Sequence, residues 1–382
     1  MRALERKLFR DFFRLWAQGL AIALVLACGV SIFLMSFGMF LALTDTRAAY
    51  YERNRFADVF AQVRRAPKSL IPEIAAIEGV YTVEPRVSGS AILDLPGKVE
   101  SAVGQLISLP VSGQPALNVP LLRSGRLPDP QASDEVMVNE PFAQANGYVP
   151  GDVFHANLNG SRRPLTITGT ALSPEFIYTI GPGDMMPDNA GFGILWMPEP
   201  ALAAAFDMDG AFNDVALKLS RDANVDQVLD AVDALLHPYG AQGAYGRDQQ
   251  ISNAFIDGEL KQLQSMAYVL PPVFFGVTVF LVNMVIGRIV ALERSEIGLM
   301  KAIGYSDAEV CLHYLGLAAL IATVRILAGF GFGAWFAHGL ATLYANFFDF
   351  PYLIFSVSPN AYVIAGSLGA ATAAAGAIRA AL

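Results

Sequence analysis

Cysteine, histidine and charged side chains are scarce in this chain, and each scarcity removes a class of function. The two cysteines, Cys28 and Cys311, fall inside or at the edge of apolar runs, so no disulfide framework is available to a soluble part. The four histidines, His155, His237, His313 and His338, are scattered and read as surface or interfacial residues rather than metal ligands. There is no G-x-x-x-x-G-K-[ST] loop, so the chain cannot cradle ATP in that manner, and neither H-E-x-x-H nor C-x-x-C occurs. Only 16% of residues are charged, against about 25% in ordinary globular chains, and the net charge of −8 comes without a basic patch, which excludes nucleic acid as a partner. Asp184 and Asp188 share a stretch rich in Gly and Pro and read as turn residues, not as an acid–base pair. No residue argues for an enzyme, a metal or a bound cofactor.

Apolar residues dominate instead, at 54% of the chain. A bilayer core takes roughly 20 apolar residues in a helix. Four runs meet that length: Leu20–Thr44, Met266–Ile286, Cys311–Leu340 and Ala361–Leu382. The third is too long for one straight span, so an extension beyond the bilayer is expected. The first follows basic residues, as a signal peptide would, but it exceeds an apolar signal core of about 7–15 residues and no A-x-A site closes it. Val25-Leu26-Ala27-Cys28 faintly resembles a lipoprotein cleavage box, yet cleavage there would leave Ser31–Leu43 as a bare apolar tail, so an uncleaved anchor is expected.

Lys and Arg counts in the short flanks orient the spans. Arg2, Arg6, Lys7, Arg10 and Arg14 precede the first, and Arg288, Arg294 and Lys301 lie between the second and third, whereas residues 342–358 carry none. The N-terminus, residues 288–310 and Arg379 are therefore expected in the cytoplasm, with residues 45–265 outside. Leu4, Leu8, Phe12, Leu15 and Trp16 share a helical face opposite Arg and Lys, so residues 1–19 suit a helix in the membrane interface or plain topogenic charge. The expected fold class is a membrane α-helical protein with four transmembrane helices and an α+β extracytoplasmic domain, followed by a three-span module over residues 266–382.

Inside residues 45–265 a pattern recurs. Phe56–Val63 reads as a strand, Ser69–Ile77 as a helix and Val80–Leu93 as a strand; Asn213–Leu219, Val225–Leu236 and Gly243–Arg247 repeat the order. Two such split β-α-β units pair into one ferredoxin-like sheet. Asn159-Gly160, between Val153–Leu158 and Leu165–Thr170, is a hairpin signal, which also accounts for the Asn159-Gly160-Ser161 sequon. Helical patterns at Asp45–Arg64 and Ser252–Ser265 continue the first two spans outward as a stalk.

The most informative segment is Arg288–Val310, because a plain re-entry loop needs only turn residues. Here Arg288, Glu293, Arg294, Glu296 and Lys301 alternate with Ile297, Met300, Ile303 and Gly304, the composition of an amphipathic helix between two spans. The run Glu293-Arg294-Ser295-Glu296-Ile297-Gly298-Leu299-Met300-Lys301-Ala302-Ile303-Gly304 resembles the signature loop of FtsX/MacB-type ABC transporter permeases. Three further runs resemble the periplasmic domain of that family: Gly125-Arg126-Leu127-Pro128, Glu135–Ala143 (EVMVNEPFA) and Gly147–Asp152 (GYVPGD).

The resemblance implies a permease subunit in the inner (cytoplasmic) membrane. It implies a cytoplasmic ABC ATPase that binds the ATP, a second permease copy or homologous half, membrane lipids, and in some members a periplasmic adaptor. Glu293, Arg294, Glu296, Ile297, Gly298, Met300, Lys301, Ile303 and Gly304 would form the ATPase-coupling helix. ATP-driven closure would move the extracytoplasmic domain (mechanotransmission) to export or extract a lipid, lipoprotein, peptide or drug-like substrate. The alternative is a non-transporting regulator that signals through the same helix. Two departures stand out. Family members commonly carry a basic tail after the fourth span, and many are about twice this length, so a half-length subunit or a fragment of such a protein is expected. Arg325 interrupts the third span, where a charge costs roughly 2.5–3.5 kcal/mol. Gly329 and Gly333 form a G-x-x-x-G pair for close helix packing, within the bundle or between copies.

Overall fold

The computed structural model describes residue 10 and residues 16–95, 101–354 and 358–381. The expected interfacial helix at residues 1–19 lies largely outside them. The chain divides into two compact units: Met1–Asp45 with Glu259–Tyr344 and Leu353–Leu382, and Thr46–Gly258 with Ala345–Tyr352.

The first unit is helical. It contains the start of α1 (Trp16–Arg53), most of α6 (Ile251–Leu292), the short α7 (Arg294–Ala302), most of α8 (Asp307–Phe347) and α9 (Pro359–Ala381). Among the described residues, α1, α6, α8 and α9 are each long and apolar enough to cross a membrane. α1, α6 and α8 contain the expected runs and extend past them, and α9 covers the fourth run up to Ala381; α8 absorbs the surplus length of the third run as continuous helix. Leu26, Val30 and Leu34 on α1 pack with Phe275, Ile326, Ala361 and Ala365. Val273, Phe280, Leu327, Trp335 and Val363 point outward. Such large exposed apolar side chains suit a lipid-facing surface.

Two sheets build the second unit. The smaller runs β11-β1-β10-β2, with β1 Val59–Pro67, β2 Val80–Arg86, β10 Ala211–Leu219 and β11 Tyr245–Gly246. All its pairings are antiparallel, and the order is the ferredoxin-like one that two split β-α-β units generate. Helices α2 (Ile71–Ala75) and α5 (Val225–Leu236) cover one face, where α5 sets Val228, Val232 and Leu236 into the core at helical spacing. Asn224 caps α5 by accepting from the Gln227 amide.

Two expectations fail here. The helix continuing the first span stops at Arg53, because Phe56 onward enters β1, where Val59, Phe60, Ala61 and Val63 are buried against the sheet. Val80–Leu93 is not one strand: it breaks at Val87, β2 staying in the small sheet and β3 (Ser88–Asp94) entering the larger one.

The larger sheet runs β5-β8-β6-β9-β4-β3-β7, and a further β7–β8 pairing closes six of these strands into a ring. Its strands are β3, β4 (Ala102–Leu109), β5 (Leu121–Gly125), β6 (Glu135–Asn139), β7 (Val153–Leu158), β8 (Ser161–Leu172) and β9 (Phe192–Pro198). β7 alternates, exposing Val153 while burying Phe154, Ala156 and Leu158. The turn to β8 uses Asn159 and Gly160, both at positive φ, as a two-residue hairpin requires. Leu106, Val138, Phe142, Leu165, Ile167 and Leu195 fill the interior, each contributing about 1.5–3 kcal/mol by burial.

A buried charge network links the two sheets. Arg86, at the end of β2 and 6% exposed, donates from Nη1 and Nη2 to Glu175 at 2.6 and 3.0 Å and from Nε to Asp214 Oδ1 at 2.7 Å. Glu175 lies in the 3-10 turn after β8 and also accepts from Asn118 Nδ2 at 2.9 Å. Burial alone would lower the Arg86 pKa, but Asp214 and Glu175 outweigh it and hold the guanidinium well above its ordinary value. Burial likewise holds the Asp214 carboxyl above the usual carboxylate range, against the pull of Arg86.

Candidate functional site: the short helix between α6 and α8

Helix α7 is short, and local devices at both ends define it. A helix of this length is marginal alone, because nucleation costs more than a few backbone hydrogen bonds return. At its start Glu293 takes a non-helical conformation, its amide bonded to the Ile289 carbonyl at 2.9 Å. Its side chain does not reach outward: Glu293 is 7% exposed, and its Oε2 accepts from the Tyr314 hydroxyl at 2.8 Å.

The other end is a Schellman motif. Gly304, at φ 107°, donates to the Lys301 carbonyl at 3.0 Å, and Tyr305 donates to the Met300 carbonyl at 3.1 Å. Ser306 and Glu309 then form a reciprocal capping box at the start of α8. Glu309 accepts from the Ser306 amide at 2.9 Å, and Ser306 Oγ accepts from the Glu309 amide at 3.3 Å. The first of these bonds holds the Glu309 carboxyl below its usual range.

The side chains of α7 divide into two sets. Met300 is buried with Ile286, Ile289, Val310 and Tyr314, and Ile297 packs against the same cluster. Leu299 and Ile303, four residues apart and so on one helical face, are 61% and 70% exposed. Arg294, Gly298, Lys301 and Gly304 are exposed, and Glu296 is half-buried.

This differs from the sequence expectation in three places. Ile297 and Met300, expected to meet a partner, pack on the helices of their own unit, because α7 turns that face toward α6 and α8. Glu293, placed among the coupling residues by the resemblance, is an interior hydrogen-bond acceptor. Leu299, which composition gives no reason to separate from Ile297 and Met300, holds the outward position. Tyr314 escapes the motif reading, although an aromatic ring with a hydroxyl in an apolar run marks a buried group in need of a partner. The S-x-x-E spacing of Ser306–Glu309 is the sequence signal that marks the start of α8.

The remaining sequence candidates lie elsewhere in the helical unit. Gly329 and Gly333 face α1: a Cβ at Gly329 would sit 2.9 Å from Val30 Cβ, and one at Gly333 would sit 3.0 Å from Leu34 Cβ. Ser31 Oγ donates to the Gly329 carbonyl at 3.0 Å across the same contact. Both glycines thus serve packing within the chain, and neither is open to a second copy. Arg325 is 8% exposed, and its Nη1 has no hydrogen-bond partner among the described residues.

In the other unit, the three runs that carried the resemblance have structural roles. Arg126 Nη1 and Nη2 donate to Glu135 at 2.8 and 2.6 Å, and Glu135 accepts from the Asp129 amide. Gly125 has φ 75°, and a Cβ there would lie 2.2 Å from the Thr168 carbonyl oxygen, so only glycine fits. Asn139 accepts from the Ile194 amide, and Asp152 accepts from the Val149 amide. These groups hold strands and turns; they do not assemble a reactive centre. Among the described residues, no group of three or more His, Cys, Asp or Glu gathers to hold a metal.

Known proteins offer two kinds of likeness. No curated protein matches it. Among solved structures it is similar to the periplasmic region of MacB from Actinobacillus actinomycetemcomitans, at 15% identity over 54% of this chain and 92% of that one, TM-score 0.33. It is also similar to the extracellular domain of the noncanonic ABC-type transporter YknZ from Gram-positive bacteria, at 11% identity over 49% of this chain and 98% of that one, TM-score 0.32. Residues 268–382, which contain most of α6 together with α7, α8 and α9, match the FtsX-like permease C-terminal family.

Proposed function

We propose that this chain is the membrane subunit of an ABC transporter, docked through α7 onto a separate cytoplasmic ATPase whose ATP cycle moves the domain of residues 45–265. The observation that carries the reading is the outward pair Leu299 and Ile303 on a short helix closed by a Schellman motif, inside the segment that matches the FtsX-like family. Two large apolar side chains held in water gain free energy when a partner covers them, about 1.5–3 kcal/mol each on full burial. Arg294 and Lys301, exposed beside them, would give the contact its charge complementarity. The orientation rests on the Lys/Arg asymmetry: α7 would lie in the cytoplasm and the spans in the inner membrane. In this reading the permease binds no nucleotide itself. The extracytoplasmic movement would act on a lipid, lipoprotein, peptide or drug-like substrate, with a second permease copy completing the assembly and a periplasmic adaptor as a further partner.

Leu299→Asp with Ile303→Asp tests it. Both side chains are exposed, so the doubly substituted chain should insert and melt as the parent does, yet lose co-purification with its co-expressed ABC ATPase. Undiminished co-purification would sink α7 as the docking site.

A further inference from the structure

The network around Arg86 borders an unfilled space. A cavity of about 690 Å³ opens between the two sheets of the second unit, walled by Glu175, Asp214 and Tyr245 together with Gln62 and Gln105. Its volume lies within the roughly 300–1,000 Å³ usual for small-molecule sites. The walls come from β1, β10, β4 and the 3-10 turn after β8, so rigid elements shape it.

The chemistry of the wall is one-sided. Glu175 and Asp214 reach the lining, whereas no Lys, Arg or His among the described residues does. Arg86 stands behind them and supplies one positive charge for two carboxylates. It engages both oxygens of Glu175 but only Oδ1 of Asp214. Gln62, the register partner of Asp214 across the β1–β10 pairing, lines the same wall. Gln105, Gln242 and Gln249 add carboxamides, which accept as well as donate, and Tyr178, Phe192 and Tyr245 add aromatic faces. Carboxylates, amide oxygens and ring faces together recognise ammonium groups, the rings through cation–π attraction. An anion would meet two carboxylates and no cation. A bare calcium ion needs about 6–8 oxygen ligands, and these two carboxylates already share a guanidinium.

We propose that this cavity binds a small organic cation bearing primary ammonium groups, one of which would complete the charge balance that Arg86 leaves short by one. The site is separate from α7, and the binding does not depend on the ATPase reading. Asp214 would face one ammonium, and the glutamines would hold the rest of the ligand by hydrogen bonds.

The ammonium could come from a free polyamine or from a lysine side chain, so two probes are needed. Isothermal titration calorimetry on the full-length chain in detergent would use spermidine and an end-blocked Gly-Lys-Gly tripeptide, with triethylene glycol as the neutral control. Saturable binding of spermidine, of the tripeptide, or of both is expected, with none for the glycol. Gln62→Leu with Gln105→Leu removes cavity-facing amides without touching Arg86, and should weaken binding about tenfold or more, roughly 1.4 kcal/mol. The melting transition of that variant, compared with the parent's, confirms that its fold is intact, and if it fails to fold, Gln105→Glu should instead tighten binding of the cation. The proposal is overturned if neither cation binds, if the glycol binds as well as they do, or if the folded variants bind with unchanged affinity.

Discussion

Replacing Arg86 by Met should be the most damaging single change in the second unit. The side chain is 6% exposed and is the guanidinium partner of both Glu175 and Asp214. Met fills much of the same volume but leaves two buried carboxylates without a counter-charge, a loss of about 3–5 kcal/mol when one partner of a buried pair is removed. For a unit of about this size each kcal/mol shifts the melting temperature by roughly 2–4 °C, so a fall of roughly 6–20 °C is expected. The chain has three tryptophans, and Trp196 is buried on β9 within this unit. Changing Trp16 and Trp335 to Phe leaves Trp196 as the reporter in a thermal melt of the full-length protein. The pH dependence follows from the sign of the shift. Without Arg86, the folded-state pKa of Asp214, already raised by burial, climbs further above the unfolded value of about 3.9. A raised carboxyl pKa destabilises progressively as pH rises toward that pKa, so the deficit should be larger at pH 8 than at pH 5. Adding Asp214→Asn should recover part of it. A fall of under about 2 °C, or a deficit that does not shrink at pH 5, would refute a network held together by charge pairing.

Two further outcomes follow from the structure. Gly329→Ala with Gly333→Ala puts methyl groups against Val30 and Leu34; the overpacking should cost about 1–3 kcal/mol per site and shorten the half-life of the detergent-solubilised chain, and an unchanged half-life would mean that α1 and α8 do not need to approach so closely. Asp349 is pushed up to about 7 by burial, with Glu140 adding to it, so its contribution to stability is lost as pH rises from about 4 through 7; Asp349→Asn should therefore melt above the parent at pH 8 and match it near pH 4, and a variant that melts lower at pH 8 would contradict the buried, proton-holding carboxyl.

The sequence carried some levels of this architecture and withheld others, for physical reasons. Apolar length alone located the four long helices, because a bilayer sets one length scale. The two β-α-β units were readable because α5 repeats at 3.6 and because each helix follows its first strand closely in sequence. The closed ring was not readable. Its parallel pairings join β4 to β9 and β6 to β8 across long stretches of chain, and no local period records such partners. The break at Val87 was hidden for the same reason: Val80–Leu93 alternates well enough for one strand, and only tertiary pairing divides it between sheets. Within α7, composition showed an amphipathic helix but could not tell which apolar residues face inward. That depends on α6 and α8, whose positions are set by packing.

The division of α7 bears on how a partner would engage it. From composition, its apolar face should wait for a partner before ordering. Instead Met300 and Ile297 are already spent on the chain's own cluster, Glu293 is tied to Tyr314, and Gly304 with Ser306 and Glu309 fixes the turn into α8. The inward set supplies the ordering free energy that a short helix lacks, and the outward pair is then presented on a formed surface. A partner that meets a pre-organised helix loses less to ordering on binding. The same anchoring ties α7 to α6 on one side and α8 on the other, so a displacement imposed on Leu299 and Ile303 is felt at Met300 and Glu293. In the proposed docking the exposed residues would make the contact and the buried ones would pass it on, so substitutions on the two faces should differ in kind: loss of docking from the outer pair, loss of the helix itself from the inner set.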